Sequence, residues 1–335
     1  MEEIPPNLEI IRRVAAELAP AVVRTPLLRC AELEIGLSPG TRLWGKCEFL
    51  QKTGTFKARG ALASVAALAP AERAGGLTAV SAGNHAIATS YAASVFGTTA
   101  KVVMPENAYP CRIEACRRHG GEVILAADVH EAFAIAEAIC RDEGRQFIHP
   151  FEGPGVAAGT GTLGLELCEQ QPDLDAIVVA VGGGGLLGGV ANAVKQVDPR
   201  IEIIGVEPEG ADSMHRSLAQ GAPASIDAVS TIADSLGAPY ALPYSFKLCR
   251  DNVDRWCRVD DDSLKAAMRE LFQRQRIAVE PACAATTAAA LGPLRRHLAG
   301  KNVALLFCGS NIDWKTFRSL VNAGAAATAG AGTNP

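Results

Sequence analysis

Aromatic residues make up only 5% of the 335-residue chain, and its 32 Lys and Arg are outnumbered by 36 Asp and Glu, leaving a formal charge of −4. A nucleic-acid groove needs a basic stripe and stacking rings, so nucleic acid is excluded as a partner. The ten cysteines include no C-x-x-C pair and the six histidines no H-E-x-x-H, which removes the usual signatures of zinc ribbons, thioredoxin chemistry and zinc proteases. One uncharged stretch, Ala176 to Val194, is long enough for a membrane span, but seven of its positions are Gly or Asn. It reads as strand, Gly loop and helix start, so no membrane partner is expected. The first residues, Met1-Glu2-Glu3-Ile4-Pro5-Pro6, are acidic where a signal peptide is basic, which points to a reducing cytoplasm. No repeat with a period of roughly 20–50 residues is visible.

What is present is ample apolar material, 48% of residues, on a chain long enough for about two domains. Ile10, Ile11, Val14, Ala15 and Leu18 recur at helical spacing between Glu9 and Leu18, predicting an N-terminal helix. Six short apolar runs follow, each leading through a Gly or polar turn into an Ala-rich stretch: Leu77 to Val80, Ala100 to Met104, Glu122 to Leu125, Ile177 to Val181, Ile201 to Val206 and Val303 to Phe307. That alternation predicts an α/β fold with mainly parallel strands in two sheets. Asn322 to Pro335 is Ala, Gly and Thr with little to pack, and reads as a frayed tail.

Four segments carry chemistry. Lys57 follows Phe56 and precedes an Ala-rich helical stretch. The commonplace reading of such a lysine is an exposed helix-start cation; buried beside a ring, it would have the lowered pKa that a Schiff base to an aldehyde cofactor needs. Gly182-Gly183-Gly184-Gly185-Leu186 lies between a strand and a helix, where backbone N–H groups and the helix dipole converge on an anion. The same run satisfies G-x-G-x-x-G as Gly183, Gly185 and Gly188, with Glu202 and Glu207 near the place of an acidic ribose ligand. Alone, it does not separate a phosphorylated aldehyde from a dinucleotide. Ser81-Ala82-Gly83-Asn84-His85 opens another helix and suits a carboxylate or a cofactor hydroxyl, or is an ordinary N-cap with a structural histidine. Cys308 ends the last apolar run, either as a small buried hydrophobe or as a neutral, weak hydrogen-bond donor to a pyridine nitrogen.

Taken in this order, and joined by Arg24-Thr25-Pro26-Leu27, His149-Pro150-Phe151, Gly159-Thr160-Gly161-Thr162, Thr231-Ile232-Ala233-Asp234 and Glu280-Pro281-Ala282, the segments resemble the fold-type II pyridoxal-phosphate enzymes. The likeness is greatest to the threonine/serine dehydratase and serine racemase branch and spans about residues 8 to 320. It implies a tryptophan-synthase-β-like fold of two open α/β domains with the active site between them. A large cofactor-binding domain would comprise residues 1–75 and 151–325, a small closing domain 76–150, and a flexible tail 326–335. Lys57 would hold pyridoxal 5'-phosphate as a Schiff base and act as the catalytic base. Phe56 would pack on the ring, Asn84 would bond its hydroxyl, Gly182, Gly183, Gly184, Gly185 and Leu186 would hold the phosphate, and Cys308 would face the ring nitrogen. Ser81, Asn84 and the His85 backbone would receive the substrate carboxylate. Glu207 and the Ala211 carbonyl match a site for a mono- or divalent cation, whose acidic third ligand is replaced here by Ser213.

The resemblance implies a lyase that converts L-threonine or L-serine to a 2-oxo acid and ammonia by β-elimination, working as a homodimer. Two departures qualify that expectation. Ala82 stands where racemases of the branch carry a second serine acting on the face opposite the lysine, so elimination is expected over racemisation. Gly153 and Thr160 replace larger polar residues, which suggests a differently shaped side-chain pocket and keeps hydroxyaspartate- or phenylserine-type substrates as the alternative. A serine racemase, a dinucleotide-dependent oxidoreductase and a non-catalytic amino-acid sensor are the remaining readings. The chain ends soon after Cys308, so a C-terminal regulatory domain and feedback by isoleucine are not expected.

Overall fold

The structure is a computed structural model and describes residues 4–330. Among these residues the strands form two sheets. The larger is built from β1 (Leu27–Arg29), β2 (Arg42–Cys47), β7 (Ala176–Ala180), β8 (Glu202–Pro208), β9 (Arg255–Val259) and β10 (Asn302–Phe307), in the order β1-β2-β10-β7-β8-β9. All its pairings are parallel except β1 with β2. The smaller sheet is wholly parallel, ordered β5-β4-β3-β6, from β3 (Leu77–Val80), β4 (Ala100–Pro105), β5 (Glu122–Ala126) and β6 (Gln146–Phe147). Central strands such as β7, Ala-Ile-Val-Val-Ala, are buried throughout, as befits strands covered by helices on both faces.

Each of the six apolar runs becomes a strand, with ends shifted by a residue or two. The short β1, β6 and β9 carry too few apolar positions to have stood out, and β2 is interrupted by Arg42 and Lys46. The Asn322–Pro335 reading needs correction. The helix Trp314–Gly330 continues through its first nine residues, because alanine sustains a helix without side-chain packing; residues 331–335 lie outside the described residues. No helix among the described residues is long and apolar enough to cross a membrane, and all ten cysteines are free thiols.

The cleft between the sheets lies at the carboxyl ends of their strands. Residues directly after β3, β7 and β10 all reach it: Ser81 to His85, Val181 to Leu187 and Cys308. This is where ligands bind in open α/β folds. Beneath it, the helix Lys57–Ala66 is anchored by a buried ion network. Arg59, fully buried, pairs with Glu48 at 2.8 Å and Glu166 at 2.8 Å, and Glu166 also takes Lys46 at 2.5 Å. Buried charges persist only when paired in this way, and the network holds the helix two residues from Lys57.

Candidate active site

Lys57 opens its helix at the cavity wall. The segment is tied to the end of β10, because the Phe56 N–H donates to the Cys308 carbonyl at 3.1 Å and Thr55 bridges Gly309. Lys57 and Cys308, far apart in sequence, thus share one site. The Lys57 amine lies 5.2 Å from the Phe56 ring centroid and donates to the Pro150 carbonyl at 2.5 Å. Burial lowers its pKa to about 8, which makes the free amine accessible near neutrality. Pro150 is held by its neighbour His149, whose Nδ1 accepts from the Phe151 and Glu152 N–H groups at 3.2 and 2.9 Å. Burial and the adjacent Lys57 push His149 down to about 4, so it stays neutral.

The glycine run fits an anion. Its helix, Gly185–Val197, starts from Gly184 in the left-handed region (φ 88°), with no side chain capping its N–H groups. Residues 182–187 line the cavity. The Phe151 ring packs behind Gly183 so closely that a Cβ there would overlap it, which turns the loop's backbone toward the open space. The shape and the uncapped helix end match a phosphate. Thr160 supports this loop from below, donating to the Gly185 carbonyl at 2.9 Å and to the Val156 carbonyl. It is buried outside the cavity lining, and the half-buried backbone turn at Gly153 lies outside that lining too. These two positions therefore do not form a side-chain pocket, because they face the loop's underside and a helix start.

Ser81, Asn84 and His85 line the opposite wall. The Ser81 hydroxyl accepts the Gly83 N–H at 3.1 Å, and the N-terminus of the helix Asn84–Val95 opens on the same space. His85 is buried against the Ile148 carbonyl at 2.7 Å. Burial and Lys57 lower its pKa to about 3, so its ring is neutral and its backbone N–H is the available donor. Ala82 presents no acid or base. Asn84 has partners that the sequence reading did not supply: its amide donates to Glu280 at 2.8 Å and Ser235 at 3.1 Å, and its Oδ1 accepts from Asn311 at 2.9 Å. The neighbouring Cys283 thiol and burial both raise the Cys308 thiol far above the ordinary value. The group is neutral.

Arg112 and Asp234 were not singled out from the sequence as site residues. Arg112 lies on the helix Pro110–Arg118, whose other arginines, Arg117 and Arg118, are a surface pattern. Its guanidinium is nonetheless buried at the cavity, ion-paired with Asp234, 3.4 Å from Glu280 and bonded to the Asn311 carbonyl at 2.9 Å. No spacing rule could have found it, since its partners come from three distant segments.

The remaining candidates lie elsewhere. Glu207 is buried, and its two oxygens accept the Met214 and His215 N–H groups at 2.9 and 2.8 Å, while the Ser213 hydroxyl has no hydrogen-bond partner. Burial raises the Glu207 pKa to about 8, and Ala211 is buried beside it in the chain. Among the described residues no group of three His, Cys, Asp or Glu is placed to hold a metal ion. Glu202 is bound to Lys301 and His297 at 2.8 Å and to Arg255. Neither Glu202 nor Glu207 lines the cavity, so the acidic ribose partner of a dinucleotide site is missing.

A buried amine of lowered pKa, an uncapped helix end for phosphate, a second helix end for carboxylate and a neutral thiol together fit pyridoxal phosphate and an amino acid. Comparison with known proteins agrees. Residues 18–309 match the model of the pyridoxal-phosphate dependent enzyme family. The chain is 49% identical over 312 residues to a phenylserine dehydratase of Ralstonia pickettii, covering 93% of this chain and 95% of that one. It is 38% identical to an L-threonine ammonia-lyase of Thermotoga maritima, covering 95% of this chain and 79% of the relative. The solved structure of maize serine racemase superposes with a TM-score of 0.89 at 33% identity, over 97% of this chain and 99% of that one. The chain belongs to the fold-type II pyridoxal-phosphate-dependent enzymes and is a lyase of their dehydratase branch.

Proposed function

We propose that the protein dehydrates a 3-hydroxy amino acid bearing an aryl group, of the 3-phenylserine type, to the corresponding 2-oxo acid and ammonia. The observation that carries this reading is the cavity itself. It offers about 800 Å³ for cofactor and substrate together, and among the described residues its one guanidinium, Arg112, is already committed to Asp234 and Glu280. An acidic substituent of the hydroxyaspartate type would find no free guanidinium there, whereas an apolar one is accommodated without leaving a charge unpaired. The 49% identity to a phenylserine dehydratase points the same way. L-threonine and L-serine, the first expectation from the sequence, form the second reading, favoured by the L-threonine ammonia-lyase among the relatives.

When bound, pyridoxal phosphate supplies an electron-withdrawing ring that acidifies the Cα–H of the amino acid joined to it. The protein's own residues do the rest in this proposal. Gly182 to Leu186 hold the phosphate, and the Ser81–His85 loop holds the carboxylate at the helix end, fixing Cα beside Lys57. Lys57, with its pKa lowered to about 8, takes the Cα proton as the free amine. Ala82 offers no proton to the opposite face, so loss of the β-hydroxyl wins over racemisation. Neutral Cys308 does not stabilise a charged ring nitrogen, which favours prompt elimination over a long-lived carbanion.

The test is a panel of L-3-phenylserine, L-threonine, L-serine and L-3-hydroxyaspartate with the purified holoenzyme, following 2-oxo acid and ammonia. The expected kcat/KM is highest for phenylserine. Faster turnover of threonine or serine would transfer the assignment to the second reading, and turnover of hydroxyaspartate alone would overturn the cavity argument.

A further inference from the structure

Resting on the aryl-substrate reading, we propose that Val129 and Phe133, on the first two turns of the helix Val129–Glu143, form the wall that recognises the aryl substituent. They are thus the residues that set specificity.

Of the cavity's aromatic side chains, Phe56 lies against the Lys57 amine. Phe151 is packed behind Gly183, and Tyr240 pairs with Phe151 at a centroid distance of 6.3 Å. Phe133 comes from the other side of the cleft, where its ring also meets Phe147 at a centroid distance of 6.3 Å. It lines the cavity and is only partly buried.

Its position follows from the carboxylate loop. Val80, the last residue of β3, immediately precedes Ser81 and packs in one apolar cluster with Ala132 and Phe133. The first turn of this helix therefore flanks the loop assigned to the carboxylate. Of the four groups on Cα, the amine goes to the cofactor at Lys57, the carboxylate to Ser81–His85 and the proton to the Lys57 amine. The fourth, the β-carbon with its substituent, is left to face what adjoins the loop.

Val129 and Phe133 are four residues apart and so share a helix face. Val129 is 53% exposed although it lines the cavity, and Val229, also in the lining, is 41% exposed. Exposed branched apolar residues lining a substrate cavity are what a flat apolar group would cover. An aromatic ring against Phe133 would also gain from offset or edge contact.

The experiment compares wild type with Phe133→Ala, Phe133→Leu and Val129→Ser, all as holoenzymes. Val129 is exposed, so its substitution leaves folding intact; a thermal melt and the visible cofactor band check each variant. Phe133→Ala is expected to lower kcat/KM for phenylserine by at least about tenfold, mainly through KM, while that for threonine or serine changes less than about twofold. Phe133→Leu and Val129→Ser should give smaller losses of the same kind. If wild type turns over phenylserine and none of the three variants alters the phenylserine-to-threonine ratio, the wall is wrongly assigned and the aryl reading stands. If wild type ignores phenylserine, the aryl reading fails first.

Discussion

Arg112 and Asp234 form an ion pair across the mouth of the cleft, Arg112 from the side of the four-stranded sheet and Asp234 from the side of the six-stranded one. The guanidinium side chain is 2% exposed and also faces Glu280, itself 2% exposed. It is the cation nearest a buried carboxylate whose pKa burial raises.

Removing the guanidinium leaves Glu280 buried without its charge partner. Arg112→Met is therefore expected to destabilise the protein by about 3 kcal/mol, measured by denaturant unfolding of the holoenzyme. Asp234→Asn should cost less than about 1 kcal/mol, since Asp234 is 36% exposed and solvent screens it. Equal losses for the two variants would show that the surface half of the pair, not the buried half, holds the sides together.

Lys57 should also reveal its burial kinetically. With a pKa of about 8 instead of the ordinary value of about 10.4, the free amine fraction rises tenfold per pH unit below 8 and levels off above it. The rate at which the cofactor-free protein develops its visible band with pyridoxal phosphate is expected to follow that curve. A rate still climbing steeply above pH 9, about one unit beyond the lowered value, would mean that the amine is not desolvated. Lys57→Ala should form no such band at any pH and should have no lyase activity.

Gly183→Ala tests the phosphate loop. The added methyl would meet the Phe151 ring, and overpacking of this kind costs about 1–3 kcal/mol. Affinity for pyridoxal phosphate, measured by equilibrium titration of the visible band, should fall by about one to two orders of magnitude. Phe151→Leu in the same chain should recover part of it by opening space. No change in affinity with Gly183→Ala alone would remove the loop from the cofactor site.

Ala82 separates elimination from racemisation. The wild-type enzyme is expected to make pyruvate from L-serine faster than it makes D-serine, followed by chiral chromatography. On the proposed mechanism, Ala82→Ser would place a hydroxyl on the face opposite Lys57 and should raise the D-serine yield. If wild type already interconverts the enantiomers faster than it forms pyruvate, the one-base argument is wrong.

Much of this site was legible along the chain because its parts are local. A strand, a run of glycines and a helix start make an anion site within a few residues, and the same holds for Ser81 to His85. The six strands that were foreseen are continuous apolar runs, which parallel sheets buried on both faces require. Gly153 and Thr160, read as pocket residues, both lie outside the cavity lining, Thr160 bracing the Gly185 carbonyl from behind. Spacing cannot tell which side of a loop a side chain occupies.

The sequence by itself determined the α/β alternation, the lysine, the glycine loop and the thiol, since each rests on residue type and short-range order. Only the tertiary structure decided that Arg112 is buried between Asp234 and Glu280. It also decided that Asn84 is held by Glu280 and Asn311, and that Phe133 reaches the cavity wall. These depend on contacts between segments up to 227 residues apart. Such contacts exist only once packing has closed the chain into two facing sheets.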